Sequence, residues 1–263
     1  MALSGLSFVK ENNSFYCRID VLSDELKQKI REQLGSVWSG FANIEDLPEI
    51  YSYRRTLESF LDRYRSKSEE TQKGMIGELL AHILIPEEFP QFHSLSVLKN
   101  KEERSIKKGF DIIYYKEDVL WYSEVKSGRS ESRSHNSNEY NEVLLDRAHK
   151  GISQMFESER SSLWESALID VKLCINSRDK VVELSKLLDN DSPVHQSSDK
   201  KNVILISVLY HCPSDPILLE KVVGFKNKVA SEDCYLDSIV FSIQKKTFEA
   251  IATFLELELA NHD

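Results

Sequence analysis

Asp111, Glu124 and Lys126 have side chains and a spacing that could bind a divalent metal ion. Glu124 and Lys126 are two residues apart in VLWYSEVK (119–126), and side chains at i and i+2 of a β-strand share a face. Asp111 lies in the preceding apolar run, GFDIIYY (109–115), so a hairpin would bring its carboxylate beside Glu124. Mg²⁺ prefers hard oxygen ligands, and a nearby cation stabilises negative charge developing on a phosphate. The three residues therefore indicate metal-dependent phosphodiester hydrolysis, with Lys126 beside the attacking water.

The same residues resemble the signature of the PD-(D/E)XK nuclease superfamily. Asp111 matches its first acid, and Glu124 and Lys126 match its second half, although Gly109 and Phe110 stand where a proline commonly precedes the aspartate. The resemblance implies an α/β, restriction-endonuclease-like core with a mixed central sheet flanked by helices. It also implies a Mg²⁺ or Mn²⁺ cofactor bound by Asp111 and Glu124.

Many enzymes of this superfamily carry a glutamate on the helix before the hairpin, and the resemblance assigns that role to Glu78 as a third catalytic and metal-binding residue. Glu78 lies in KGMIGELLAHILI (73–85), which is predicted to be a helix. Its neighbours on one side of that helix are small, namely Gly74, Gly77 and Ala81. Small residues would let the helix pack closely on another element and hold Glu78 near the sheet.

Three segments taken in order are similar to the HamA C-terminal-like family, which comprises nuclease subunits of Hachiman and AbpAB-type antiphage defence systems. They are KGMIGELLAHILI (73–85), KKGFDIIYY (107–115) and WYSEVKSG (121–128), and looser similarity continues through 143–156. The resemblance implies a DNA endonuclease effector that works with a helicase-like subunit encoded alongside it.

Candidate nucleic-acid contacts lie near this core. On a helix predicted at 143–156, Arg147, Lys150 and Gln154 share one flank, and an ordinary solvated flank would look the same. Lys107, Lys108 and Arg129 could also contact phosphates, although acidic residues are interspersed among the basic ones of this region.

The surrounding chain predicts an α/β protein in two parts, a mainly helical region at 1–65 and a nuclease-like domain at 66–263. The N-terminal part is expected to begin irregularly and then to form helices from Ser23 and over 51–64. The helix around Glu78 is expected to break at Pro86 and Pro90.

The remaining segments are predicted from their hydrophobic patterns. The predictions are strands at 167–176, 202–210 and 236–243, helices at 216–229 and 246–259, and polar loops at 127–142 and 190–202. The strand at 202–210 is almost entirely apolar and is expected to be central in the sheet.

Composition limits the classes of function. The chain has 263 residues, 41% hydrophobic and 29% charged, as is usual for a globular protein. No aliphatic run is long enough to span a bilayer, and residues 1–15 lack the pattern of a signal peptide, so we expect a cytoplasmic protein without a membrane partner. The four cysteines show no paired spacing, so neither structural zinc nor disulfides are predicted.

The net charge of −9 is unusual for a protein that binds DNA unaided. A helicase partner that engages the DNA first would resolve this mismatch. Two other interpretations remain: a catalytically degenerate nuclease fold that acts as a binding or regulatory subunit, and a restriction- or repair-type nuclease without a helicase. An oligomer is compatible with each of them.

Overall fold

A computed structural model describes residues 3–99, 109–130, 136–158, 161–195 and 199–261. Its centre is one mixed seven-stranded sheet with the spatial order β1-β2-β7-β6-β5-β4-β3. The strands are β1 (Leu6–Glu11), β2 (Ser14–Ile19), β3 (His93–Ser94), β4 (Ile112–Lys116), β5 (Val119–Arg129), β6 (Asn202–Tyr210) and β7 (Asp237–Lys245). The strands β2, β7, β6 and β5 run parallel, whereas β1, β4 and β3 pair antiparallel with their neighbours.

Helices cover both faces of the sheet. Within the described residues they are α1 (Asp24–Ser39), α2 (Phe41–Asp46), α3 (Tyr53–Arg65), α4 (Glu69–Glu88), α5 (Ser137–Glu157), α6 (Ser161–Cys174), α7 (Arg178–Asp191), α8 (Leu219–Ser231) and α9 (Glu249–Asn261). The apolar residues of α1, α3, α4 and α9 pack on one face, and those of α5, α6, α7 and α8 pack on the other. This arrangement confirms the predicted mixed sheet flanked by helices, and β6 is buried along its whole length as expected for a central strand.

The β4–β5 hairpin sets the register of the predicted catalytic residues. Glu117 and Asp118 form its two-residue turn with φ angles of 48° and 63°, the left-handed conformation that matches the twist of two antiparallel strands. So short a turn fixes which residues pair, and a slip by one residue would send Glu124 to the opposite face of the sheet. Ile112 pairs with Ser123, so Asp111 lies at the level of Glu124.

Helix α4 approaches the sheet closely at Gly77. A Cβ atom at Gly77 would lie 1.9 Å from Ser127 Oγ and 3.1 Å from Ser127 Cβ, both on β5, and 3.4 Å from Val208 Cβ on β6. The absent side chain therefore allows the contact that brings the neighbouring Glu78 to the sheet.

We expect Gly77→Ala to lower the free energy of unfolding, because the methyl group would overlap Ser127 and overpacking typically costs about 1–3 kcal/mol. Gly74→Ala is the matched control, since a Cβ atom there would meet no described atom within 4 Å in the same helix. The free energy of unfolding of this control should rise by about 0.5–1 kcal/mol, because alanine has less backbone freedom than glycine in the unfolded chain. Chemical denaturation of both variants measures the difference, and equal stabilities would contradict the close contact at Gly77.

Several predictions about elements are wrong. Residues 167–176 are not a strand, because most of them belong to α6, whose buried side chains recur at helical spacing from Leu163 to Val171. The irregular start is instead the β1–β2 hairpin, whose Asn12–Asn13 turn has φ angles of 47° and 60°. Since β2 pairs with β7, this hairpin joins the same sheet, and the division at residue 65 stays a prediction.

Two helices differ from their predicted bounds. Helix α4 continues through Pro86 to Glu88, because a proline in the last turn removes only one hydrogen bond of the helix. Helix α5 begins at Ser137 inside the predicted polar loop, because Asn136 and Glu139 form a capping box.

Helix α7 was not predicted, and it extends into the expected loop at 190–202. No helix in the described ranges combines the length and the apolar composition needed to cross a membrane.

Candidate active site

Asp111 and Glu124 meet at the point where β4 begins. Asp111 precedes β4 directly, and its Oδ2 accepts a hydrogen bond of 2.8 Å from the backbone N–H of Val125 on β5. This bond orients the Asp111 carboxylate across the hairpin, next to the Glu124 side chain. The structure thus brings together the two acids that the sequence spacing predicted to be neighbours.

Glu124 is a buried carboxylate, with only 3% of the residue exposed. Its Oε1 accepts a hydrogen bond from Lys126 Nζ, whereas its Oε2 is buried and has no hydrogen-bond donor among the described residues. Burial and the negative charge of Asp111 raise the pKa of Glu124 to about 8, although Lys126 partly offsets both effects. A buried carboxylate with one oxygen that has no donor costs folding free energy, and a bound cation would relieve that cost.

Lys126 lies on the same face of β5 as Glu124 and forms an ion pair with it. Burial lowers the pKa of Lys126, but the charges of Glu124, Asp111 and Glu78 outweigh this effect, so the pKa is raised overall. Lys126 is therefore a fixed positive charge amid acidic side chains. The Lys126 side chain is 21% exposed, so part of it reaches the protein surface.

Glu78 approaches the cluster from α4, and its charge acts on Lys126. Its residue is partly buried, next to the close contact that Gly77 makes with β5. The predicted Glu78, Asp111, Glu124 and Lys126 thus come from three separate elements and lie in one region of the sheet, but the carboxylate oxygens of Glu78, Asp111 and Glu124 do not all lie within 4.8 Å of one another. The neighbouring carboxyl groups of Asp111 and Glu124, with the negative charge of Glu78 near Lys126, make this region attractive to a cation.

Gly151 is a site residue that sequence reasoning missed. It lies on α5, and a Cβ atom there would be 2.9 Å from Glu124 Oε1 and 3.4 Å from Glu124 Cδ. Helix α5 therefore packs on the Glu124 side chain at Gly151, where no side chain larger than a hydrogen atom fits without displacing Glu124. The signal in the sequence was a glycine within an otherwise regular amphipathic helix, where it lowers helix stability.

The predicted DNA contacts of α5 border this position. Arg147, Lys150 and Gln154 are exposed and lie at i−4, i−1 and i+3 from Gly151. Arg147 and Gln154 are therefore one helical turn on either side of Gly151. Their exposure and position suit contacts with a ligand that approaches Glu124 along α5.

Arg129 is held by neighbouring side chains. Its guanidinium group pairs with Glu249, lies 3.4 Å from Glu69 Oε1 and stacks over Phe248 at 4.9 Å. These contacts join the end of β5 to the starts of α4 and α9, so Arg129 has a structural role whether or not it contacts DNA. Lys107 and Lys108 lie outside the described residues.

A protein-family model described as HamA matches residues 6–257 of the chain. No curated protein and no solved structure matches the chain.

Proposed function

Because the chain belongs to the HamA family, we propose that it is a metal-dependent DNA endonuclease, the effector subunit of an antiphage defence system, which acts with a helicase-like partner. Membership of the family fits a Hachiman-type defence protein. The proposal assigns the cleavage chemistry to this chain and initial DNA engagement to the partner.

The observation that carries the proposal is the buried Oε2 of Glu124, which lacks a hydrogen-bond donor within the described part of the chain. Buried polar atoms are almost always paired, and exceptions often mark an ion that binds there. Asp111 supplies a second carboxylate beside the Glu124 side chain, and Glu78 contributes negative charge from α4. Two neighbouring carboxyl groups with further negative charge close by offer the hard oxygen ligands that Mg²⁺ or Mn²⁺ prefers.

We infer that Asp111 and Glu124 would hold the ion, with Glu78 binding it directly or through water. When bound, the ion would supply Lewis-acid stabilisation of a phosphate and a more acidic water. Lys126 orients the attacking water and offsets negative charge on the scissile phosphate. Water adds to phosphorus, the bond from phosphorus to the leaving oxygen breaks, and a proton from the water ends on that oxygen.

The charge of the whole chain supports a partner. A net charge of −9 repels DNA at long range, so the chain alone should bind DNA weakly. The exposed Arg147 and Lys150 supply local positive charge near the site. They would act on DNA that a helicase-like subunit has already delivered.

The direct test is a cleavage assay on plasmid and linear DNA, with the chain alone and with the helicase-like protein encoded beside it. We expect cleavage that requires Mg²⁺ or Mn²⁺, stops with EDTA and is strongest with the partner and its nucleotide. A Glu124→Ala/Lys126→Ala double variant should be inactive. Full cleavage by that variant would exclude the proposed site.

Metal should also stabilise the folded protein. An ion that binds only the native state adds about 2.7 kcal/mol to the free energy of unfolding when its concentration is 100 times Kd. We therefore expect Mg²⁺ or Mn²⁺ to raise Tm in calorimetry of the wild-type chain and of Glu165→Gln, a control at an exposed residue of α6. Glu124→Gln should show a much smaller rise. An equal rise in all three proteins would mean that the ion binds elsewhere.

A further inference from the structure

A second group of potential metal ligands lies where α5 meets the segment between α8 and β7. His149 comes from α5, and Glu232 and Cys234 come from that segment. Their ligand atoms all lie within 4.8 Å of one another. None of the three belongs to the candidate active site, and their role is independent of the proposed function.

The distances in this group suit a tetrahedral ion. His149 Nε2 lies 3.5 Å from Glu232 Oε2 and 3.7 Å from Cys234 Sγ. Zinc bonds of about 2.0–2.3 Å at tetrahedral angles separate neighbouring ligand atoms by roughly 3.3–3.6 Å. Two of the three separations therefore come within a few tenths of an ångström of the required values. The third separation, between the ligand atoms of Glu232 and Cys234, is at most 4.8 Å and can shorten by rotation of these two exposed side chains.

The geometry disfavours a hydrolytic triad made from the same residue types. In such a triad the histidine contacts the nucleophile through one ring nitrogen and the acid through the other. Here Glu232 and Cys234 both approach Nε2 of His149. Two potential ligand atoms that converge on a single nitrogen suit a shared cation better than a proton relay.

Neighbouring contacts hold the histidine in place. The His149 side chain is only 14% exposed, and its ring packs edge-on against Tyr235 with centroids 5.5 Å apart. The Tyr235 hydroxyl in turn lies 2.8 Å from Ser153 Oγ, on the next turn of α5. A ligand whose orientation is already fixed loses less conformational entropy when it binds an ion.

We propose that His149, Glu232 and Cys234 bind one Zn²⁺ ion, which fastens α5 to the segment between α8 and β7. One imidazole, one thiolate and one carboxylate form a set that favours zinc over magnesium, because thiolates are soft ligands. The fourth position is open to water, since Glu232 and Cys234 lie at the surface. Sequence spacing did not indicate this site, because its ligands come from distant parts of the chain.

Cobalt provides a test that distinguishes this site from the candidate active site. The full chain is stripped of metal, and one equivalent of Co²⁺ is added while absorption is recorded. We expect a near-ultraviolet cobalt–thiolate charge-transfer band that Zn²⁺ abolishes by displacement. Cys212→Ser, which changes the other exposed cysteine, and Glu124→Gln, which changes an all-oxygen site, should both keep the band.

Cys234→Ser and His149→Gln should remove the band and lower the affinity for Zn²⁺ in competition titrations. The loss should exceed the ~10–100-fold typical when only an outer partner of a ligand is removed. Circular dichroism establishes that each variant is folded. Cys234→Ala removes the same thiol at this exposed position and provides a second variant if Cys234→Ser does not fold. The proposal is overturned if no band forms with the folded wild-type chain. It is equally overturned if the band or the affinity for Zn²⁺ survives in Cys234→Ser.

Discussion

Replacing Glu124 with glutamine is expected to lower divalent-dependent DNA cleavage by at least ~10²–10³-fold, the loss typical when one group that stabilises the transition state is removed. Glutamine keeps the shape of the side chain but not its charge, and the unpaired Oε2 that would bind the ion becomes part of a neutral amide. Single-turnover cleavage in the presence of the proposed helicase-like partner measures the effect, because product release does not then limit the rate.

The exposed Glu165 on α6 supplies the matched control, since Glu165→Gln makes the same chemical change away from the cluster. We expect wild-type cleavage from that control, and wild-type association with the helicase-like subunit from both variants. Wild-type cleavage by a folded Glu124→Gln protein would remove Glu124 from the chemistry. If defence against phage also persisted, the binding or regulatory interpretation would replace the enzymatic one.

The second large effect is expected at Gly151 on α5, where alanine would displace the Glu124 side chain on β5, which we propose to be catalytic. The added Cβ would lie 2.9 Å from Glu124 Oε1, so the carboxylate must move and its ion pair with Lys126 must change. A shift of about 1 Å in a reacting group can cost ~10²-fold in rate. We therefore expect Gly151→Ala to cleave DNA about 10- to 10²-fold more slowly, measured as single-turnover rates.

Stability should change little in Gly151→Ala, because the atom that yields is the end of a side chain and alanine favours a helix. Gly224→Ala on α8 is the control, since its Cβ would meet no described atom within 4 Å. That control should keep its activity and gain roughly 0.4–1 kcal/mol in unfolding free energy. Normal cleavage by Gly151→Ala would show that α5 does not constrain Glu124.

The hairpin and its cluster were predictable because they depend on local rules. The alternation of side chains along VLWYSEVK places Glu124 and Lys126 on one face, and the two-residue turn fixes Asp111 opposite them. The small residues around Glu78 likewise predicted a close helix–sheet contact, which Gly77 makes. The roles of these residues in catalysis stay predictions, although their positions are now known.

Other features depend on contacts between distant segments. Gly151 meets Glu124 only after α5 has packed on β5, and no local pattern specifies that contact. The segment at 167–176 is apolar enough for a strand, and only its continuation upstream to Leu163 reveals the helical period of α6. The group of His149, Glu232 and Cys234 likewise could not be predicted from the sequence, because its members come together only when α5 packs beside the segment between α8 and β7.

The most direct test of the central claim is to locate Mn²⁺ by anomalous scattering in crystals of the wild-type chain. An ion bound to the proposed ligands should give a peak about 2.0–2.2 Å from carboxylate oxygens of Asp111 and Glu124. Asp111→Asn crystals under the same conditions should lack that peak. Saturating Mn²⁺ that supports cleavage in solution but leaves no peak between Asp111 and Glu124 would contradict the account.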